Sequence, residues 1–473
     1  MPEEILNTLF EAHTGRKPDL AVEFPSSGSH RRYFRITGGG TSLIGVLGTC
    51  REENHAFISF SKHFRSRGIP VPAVLAESED GCSYLQEDLG DDNLFELVGK
   101  GRESGIYSPT ETALLKKAIA VLPRLQFLGA EGLDWDNCYP KESFGERTID
   151  FDLNYFKYCF LKATGLEFNE VLLQDDFERL RSDLLQDDEP TFMHRDFQAR
   201  NIMIRDGEPW IIDFQGGHRG PIYYDVASFI WQARSRFPEE LKQELIRTYL
   251  EALHEYAHVD EEHFRSRLRL FVLFRTLQVL GAYGFRGYFE KKPHFLASVP
   301  YALGNLRNLL QTPFADYPYL NSLLSELTQM PQFNELTQDR RLEVQIYSFA
   351  YKKGIPADTS GNGGGFVFDC RAINNPGKYE YYKRFNGTDP EVIKFLEDDG
   401  EVTVFLDSVY RLVDAHVQRY MERKFTHLQV CFGCTGGQHR SVYCAEHLAR
   451  HLADKYDIKV LLTHRELNIE KKL

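Results

Sequence analysis

The chain has 473 residues, more than one compact core usually holds, so two or three domains are expected. With 42% hydrophobic and 26% charged residues it is neither disordered nor collagenous nor a coiled coil. Its formal net charge of −13 repels nucleic acid and anionic membrane, and from Glu343 onward 18 Lys and Arg balance 18 Asp and Glu, so the whole excess belongs to the first 342 residues.

Eight cysteines spread over so long a chain are read as reduced thiols, not as a disulfide scaffold. The opening Met-Pro-Glu-Glu-Ile-Leu lacks the basic and apolar regions of a signal peptide. No uninterrupted run of about 18 apolar residues occurs. A cytoplasmic protein with no membrane partner is expected.

From the start to about residue 90 the pattern is strand-rich: Arg32 to Ile36, Thr41 to Leu47, Val74, and Tyr84 to Gln86, with a helical stretch from Asn54 to Phe64. That predicts a small sheet crossed by one helix. Helical spacing dominates Thr110 to Gly129, Glu240 to His258, Phe264 to Leu280 and Tyr301 to Leu310, predicting a larger helical lobe over about 91–335. Pro313, Pro318, Pro331 and the polar run Thr337 to Arg341 mark a boundary. Beyond it Val344 to Phe349, Gly365 to Phe368 and Leu428 to Phe432 read as buried strands alternating with helices, a second domain over 343–473. Ser360 to Gly365 reads as a mobile loop.

The densest chemistry is Met-His194-Arg-Asp196-Phe-Gln-Ala-Arg-Asn201, followed by Ile-Ile-Asp213-Phe. Phosphoryl transfer needs an acceptor-hydroxyl partner and metal ligands around one γ-phosphate, and a short strand pair joined by a tight turn brings these three together. The spacing fits H-R-D-x-x-x-x-N and then a strand ending in Asp-Phe. Asp196 would orient or deprotonate the acceptor hydroxyl, while Asn201 and Asp213 would hold Mg²⁺ bridging the phosphates of ATP. Upstream, the small-residue turn with Gly28 and Ser29, next to Arg32, offers backbone amides to phosphates; an ordinary hairpin loop has the same composition. Gln86, Glu87 and Asp88 form a strand leading toward an inter-lobe hinge that would meet adenine, and Glu53 fits the helix glutamate of a kinase. The lysine that normally pairs with it is missing, since no Lys occurs between Lys17 and Lys62; Arg32 or Arg35 is the expected substitute. The gap also leaves a pseudokinase reading open.

These residues resemble the aminoglycoside phosphotransferase and choline kinase-like superfamily over roughly residues 5–330. Ile-Asp213-Phe-Gln-Gly and Arg219-Gly-Pro221-Ile-Tyr-Tyr224-Asp225-Val-Ala are similar to the AmgK-type cell-wall sugar kinases, which phosphorylate N-acetylmuramate and N-acetylglucosamine at the anomeric carbon. The resemblance implies an α+β two-lobed protein kinase-like fold followed by a separate α/β domain, and an amino-sugar substrate. A eukaryotic-type protein kinase fails on length, since Asp213 to Asp225 leaves no room for an activation loop.

In the second domain Val430-Cys431-Phe-Gly-Cys434-Thr435-Gly436-Gly437-Gln-His439-Arg440-Ser441 is a strand breaking through a glycine turn into a helix. Such a turn aims free amides and a helix dipole at one point, so Thr435, Gly436, Gly437, His439, Arg440 and Ser441 are expected to cradle an anion. Cys434-x5-Arg440-Ser441 also satisfies the cysteine-phosphatase pattern, and Cys431-x2-Cys434 with His439 offers a poorer zinc reading. Ser348 to Pro356, Phe368 to Arg371 with Asn374 to Pro376, the glycine turn and Thr463-His464-Arg465 resemble, in order, the C-terminal domain of the RNase adapter RapZ. That resemblance implies an amino-sugar phosphate ligand and a small RNA partner. The basic tail is reduced here to Lys471-Lys472 and residues after 342 are net neutral, which favours the sugar phosphate over RNA.

Overall fold

Period-two alternation builds the first sheet. In β2 (Arg32–Gly38) Phe34 and Ile36 turn to one face, where they meet Leu6 and Phe10 of α1 (Pro2–Thr14), while Tyr33 and Arg35 turn to the other. β3 (Thr41–Leu47) runs antiparallel with Tyr33 opposite Val46 and Arg35 opposite Ile44. Together with β1 (Leu20–Glu23), β4 (Val74–Glu77) and β5 (Ser83–Glu87) the sheet order is β1-β2-β3-β5-β4. The Val46 face is covered by α2 (Arg51–Ser66), whose Ala56, Phe57, Phe60 and Phe64 repeat at helical spacing. The sheet therefore carries a helix on each face, not the single crossing helix expected.

The computed structural model describes residues 2–24, 31–140, 143–186, 191–334, 342–358, 364–423 and 425–473, and two units are resolved, Met1–Leu336 and Thr337–Leu473. In the first, the sheet leads into a helical lobe through α3 (Leu94–Leu97), α4 (Gly99–Ser104), α5 (Pro109–Ala120), α6 (Leu122–Phe127), α7 (Glu146–Tyr155) and α8 (Glu170–Leu184). Ser108 and Glu111 start α5 with a reciprocal capping box. Two small antiparallel pairs follow: the hairpin of β7 (Ile202–Arg205) with β8 (Glu208–Ile211), and around it β6 (Thr191–Met193) with β9 (His218–Gly220). The lobe is completed by α9 (Tyr223–Ile230), α10 (Glu239–Leu253), α11 (Glu261–Gly284), α12 (Pro293–Leu296), α13 (Val299–Leu309), α14 (Pro318–Leu327) and α15 (Pro331–Asn334). α11 is long and apolar enough to cross a bilayer, yet 67% of its most apolar window is buried inside this lobe, where it is the core helix. This is a two-lobed kinase-like architecture.

The second unit is an α/β sheet in the order β11-β12-β10-β13-β14, from β10 (Glu343–Ala350), β11 (Gly365–Asp369), β12 (His427–Cys434), β13 (Lys459–His464) and β14 (Ile469–Lys472); only β14 is antiparallel. Helices α16 (Pro390–Asp399), α17 (Glu401–Glu422) and α18 (Arg440–Lys455) supply its cover, α17 through the stripe Val402, Leu406, Val409, Val413, Val417. β10 and β12 are buried as expected. β11 is an edge strand with Val367 and both end residues exposed, so its apolar run marks pairing and not depth. Residues 360–363 of the expected loop, and Thr337 to Arg341, lie outside the described residues.

Candidate functional site

The β7–β8 hairpin sets the geometry of the first site. Ile202 pairs with Ile211, and the Ile212 amide donates to the Asn201 carbonyl (3.0 Å), so Asn201 and Asp213 leave the hairpin side by side. Asp196 lies across from them, its carboxylate accepting from Asn201 Nδ2 (3.2 Å). His194 joins the two strands by bonding the Ile212 carbonyl (3.0 Å) through Nε2 and receiving the Asp196 amide at Nδ1 (3.3 Å). Arg195 (φ 71°) and Asp213 (φ 63°) both hold left-handed backbone conformations, which a non-glycine residue adopts at a cost of roughly 1–2 kcal/mol.

What holds the strained turn is Asp225, a fully buried carboxylate at the start of α9. It accepts from the amides of His194 (2.6 Å) and Arg195 (2.9 Å), and burial pushes its pKa up to about 6 despite those bonds and the neighbouring charges. Asp152, buried on α7, anchors the Arg195 guanidinium (3.5 Å). Phe214, following Asp213, stacks on Phe57 of α2 (ring centroids 4.6 Å apart), coupling the strand end to the helix that carries Glu53.

Burial works against ionisation of Asp196, but Arg200 (2.6 Å) and Arg275 (3.2 Å) prevail and hold its carboxyl below the usual carboxylate range. The same two arginines line a pocket of about 260 Å³ with Arg234, Gln198, Gln232 and Tyr283, and among the described residues no carboxylate lines it. A larger concavity, about 1090 Å³, lies among Asp175, Arg267 and Asp316 and contains none of the motif residues.

On the sheet side the predicted residues separate. Gly28 and Ser29 lie outside the described residues. Arg32 points to the α1 face and pairs with Glu23 (2.7 Å) at the surface, so it is not the substitute for the missing lysine. Arg35 is on the correct face but bound to Asp88 (2.8 Å) and Asp91 (2.6 Å). Asp88 is thereby an arginine and Ser42 partner, and the Glu87 side chain ties Arg205 of the helical lobe, which leaves only the hinge backbone of these two for adenine. Gln86 lies on β5 opposite Ile44, on the sheet face shared with Val46 and Arg31, and is buried. The residue that the motif pattern does not reveal is Arg31: buried, 3.5 Å from Glu53, bonded to the Tyr33 hydroxyl and on the same face as Val46 of β3, the strand that holds no lysine. Glu53 also receives Gln215 Nε2 (3.5 Å), which donates to Asp213 (2.8 Å) as well. Tyr84 Oη, Gln86 Oε1 and Gln215 Oε1 are buried here without a partner among the described residues.

These features fit a Mg-nucleotide. The Asn201 amide nitrogen is committed to Asp196, so its side-chain oxygen is what it has to offer, and with the Asp213 carboxylate it makes an all-oxygen donor set suited to a hard cation.

The glycine turn of the second unit is built differently from its expected role. Gly437 (φ 67°) packs so closely that a Cβ would lie 2.8 Å from the Ala350 amide nitrogen, and 2.4 Å from Glu466 Cγ. Thr435 and Gly436 are exposed at the tip. His439 Nε2 bonds the Tyr382 carbonyl (3.0 Å), and Arg440 Nη1 donates to the carbonyls of Arg371 (3.0 Å) and Ile373 (2.8 Å). Ser441 bonds Cys434 Sγ (3.1 Å), which also accepts from the Gly437 amide (3.2 Å). The side chains of His439, Arg440 and Ser441 thus fasten the turn, which leaves Thr435, Gly436 and the backbone of the exposed tip as what it offers an anion; beside Gly437 lies Glu466, held by Lys353 and Arg465. A buried Cys434 whose arginine is drawn away to carbonyls is no phosphatase nucleophile. No metal-binding cluster of His, Cys, Asp or Glu occurs among the described residues.

A buried Ser348, His464 and Glu446 row was also missed. Ser348 Oγ meets His464 Nδ1 (2.8 Å) and His464 Nε2 meets Glu446 (3.1 Å), but all three are inaccessible and clamp β10, β13 and α18 together.

Comparison with known proteins agrees with this division. The model of the phosphotransferase enzyme family matches residues 21–259, and the model of the RapZ C-terminal domain matches residues 342–468. A nucleotide-binding protein of Dechloromonas aromatica (strain RCB) is 40% identical over 136 residues, 29% of this chain and 46% of that protein. One from Ruegeria sp. (strain TM1040) is 41% identical over 128 residues, 27% and 41% of the two chains. The chain spans less than half the length of these curated relatives. Among solved structures, a thermostable mutant of an aminoglycoside phosphotransferase (17% identity, TM-score 0.42) covers 65% of this chain and is itself covered over 99%. A choline/ethanolamine kinase family protein from Mesorhizobium loti (14%, TM-score 0.44) covers 69% and is covered entirely. The chain belongs to the phosphotransferase enzyme family and carries a RapZ C-terminal domain after its kinase-like unit.

Proposed function

We propose that the first unit transfers the γ-phosphoryl group of ATP to the anomeric hydroxyl of an N-acetylated amino sugar, and that the second unit senses an amino-sugar phosphate, both serving cell-wall sugar recycling in the cytoplasm. The observation that carries the reading is Asp196 held ionised by Arg200 and Arg275 beside the 260 Å³ pocket those arginines line. Its volume is below the roughly 300–1,000 Å³ of sites for drug-sized ligands, so it suits one sugar ring. Three arginines and no lining carboxylate disfavour a polycationic antibiotic or choline, and suit N-acetylmuramate better than neutral N-acetylglucosamine.

Asp196 would orient the sugar hydroxyl and take up its proton, with Arg200 and Arg275 preserving the anionic form of the carboxylate. Asn201 and Asp213 would hold Mg²⁺, which when bound neutralises charge on the phosphates. His194 and Asp225 keep these groups in register. Eight free cysteines agree with a reducing compartment.

The absence of a lysine from β3 supports the second reading, a noncatalytic adapter whose pseudokinase lobe binds nucleotide and whose second unit binds RNA or protein. The test is ADP release by the intact chain with N-acetylmuramate and N-acetylglucosamine, with the phosphate position in the product read by NMR. A C1 phosphate is expected. A folded, MgATP-binding chain that phosphorylates neither of these nor any sugar of a broad panel would favour the adapter.

A further inference from the structure

We propose that Arg31, at the mouth of β2, is the nucleotide-phosphate cation of this protein, replacing the lysine that a kinase of this fold keeps on β3. The inference rests on the phosphotransferase reading and deepens it. Four arginines and no lysine lie between Lys17 and Lys62, and three of the arginines are placed elsewhere. Arg32 is on the outer face with Glu23, Arg35 is neutralised by two aspartates, and Arg51 lies against Gly81. Arg31 alone is both buried and on the cleft face, as its parity with Tyr33 and the Tyr33–Val46 register require.

Its surroundings match the function of the lost lysine. Glu53 stands 3.5 Å away on α2, as the helix glutamate of a kinase stands by its lysine. Through Gln215, Glu53 is linked to Asp213, so the cation, the helix acid and the proposed metal ligand form one connected row. Burial alone would suppress the Arg31 charge, but Tyr84, Tyr33 and Glu53 hold its pKa above the ordinary value. Glu53 is shared with Gln215 at 3.5 Å, so neither bond is short. Beside this row the oxygens of Tyr84, Gln86 and Gln215 are buried with no partner among the described residues, polar groups that await one. A planar guanidinium also offers two parallel donors to α- and β-phosphate oxygens, where a lysine offers a point charge.

The experiment compares the affinity of the full chain for Mg-AMP-PNP and for adenosine, by calorimetry and saturation-transfer NMR. Arg31→Met should weaken Mg-AMP-PNP by roughly 10- to 100-fold, the range of one charge-assisted contact, and leave adenosine within twofold. Adding Val46→Lys to that variant should recover at least tenfold, because the new ammonium enters the same cleft from the neighbouring strand. Should Arg31→Met fail to fold, Arg31→Gln keeps the bond to Tyr33 and is read by the same ratio. Mg-AMP-PNP affinity within threefold of the parent, or an equal loss for adenosine, overturns the assignment. A parent chain that binds no Mg-AMP-PNP at all would instead sink the phosphotransferase reading on which the assignment stands.

Discussion

Replacing Asp196 with Asn changes one charge and almost no volume, and the structure separates its effects by size. The carboxylate accepts from Arg200 (2.6 Å), Arg275 (3.2 Å) and Asn201 (3.2 Å); an amide keeps one acceptor oxygen and loses the charge. Loss of an orienting or proton-accepting carboxylate reduces turnover by roughly 10²–10⁴, equivalent to about 3–5 kcal/mol of transition-state stabilisation. The cost in stability is smaller. Arg200 is 60% exposed on its side chain, and such a surface pair contributes at most about 1 kcal/mol. Arg275 is 9% exposed, and it keeps Ser228 and Gln278 as partners when Asp196 is neutralised, so its loss is roughly 1–3 kcal/mol. Turnover should fall at least a hundredfold while the variant stays folded at 25 °C with a melting temperature a few degrees lower. Because the pocket loses its adjoining negative charge, an acidic sugar should bind at least as tightly as before. ADP release, differential scanning fluorimetry and the KM for N-acetylmuramate read the three effects. A kcat within tenfold of the parent's would refute the role of Asp196, and an unfolded variant would refute the ranking of the two costs.

Two further predictions follow from buried groups. The folded pKa of Asp225, about 6, lies above its ordinary value of 3.8, so folding favours its protonated form. Its contribution to stability is therefore lost as pH rises from about 4 to 6, by roughly 3 kcal/mol at 1.36 kcal/mol per unit. Below pH 6 the protonated carboxyl accepts poorly from one of the His194 and Arg195 amides, so turnover should decline on the acid side with an apparent pKa near 6; Asp225→Asn should be slow and show no such limb, and a variant with the parent's acid limb would contradict the assignment. Arg440→Ala removes two donations to the carbonyls of Arg371 and Ile373, leaves buried acceptors unmet, and should destabilise the second unit by roughly 2–4 kcal/mol without any anion present. An unchanged denaturation midpoint for that unit would show that Arg440 points outward after all.

Elements with a strong local period were legible. Thr41 to Leu47 reads as a strand and is one, because Leu43, Ile44, Val46 and Leu47 crowded into a short stretch between turns leave few alternatives. α1 was missed, although Leu6, Leu9 and Phe10 share a helix face, since the first residues hold few other apolar anchors. That Asp196, Asn201 and Asp213 come together was legible, because the β7–β8 hairpin sets Asn201 beside Asp213 and the short turn before it returns Asp196 to Asn201. Arg31 was not, because identifying it requires the β2–β3 register, and spacing points to a strand that holds no cation. Arg200, Arg234 and Arg275 come from a turn, a loop and α11, so no window of sequence contains their pocket. Arg440 looked like an anion ligand because its type is visible and its direction is not. A helix N-terminus disfavours a cation, and an arginine kept there signals a partner other than the dipole, here two carbonyls.

Net charge misleads in the same way. The entire −13 lies in the first 342 residues, which suggests a poor host for ATP and an acidic sugar. Most of those charges are surface groups, and at physiological ionic strength their fields fade beyond roughly 8 Å. The cleft and pocket are instead set by Arg31, Arg200, Arg234 and Arg275, of which Arg31 and Arg275 are buried where water and salt screen least. Composition therefore governs how fast anions approach, and the buried arginines govern how tightly they are held. Raising the salt concentration should speed association of MgATP by weakening the repulsive surface field, while changing dissociation far less. That pattern is opposite to a basic surface patch, for which salt slows association, and it follows only if the binding charges are the buried ones.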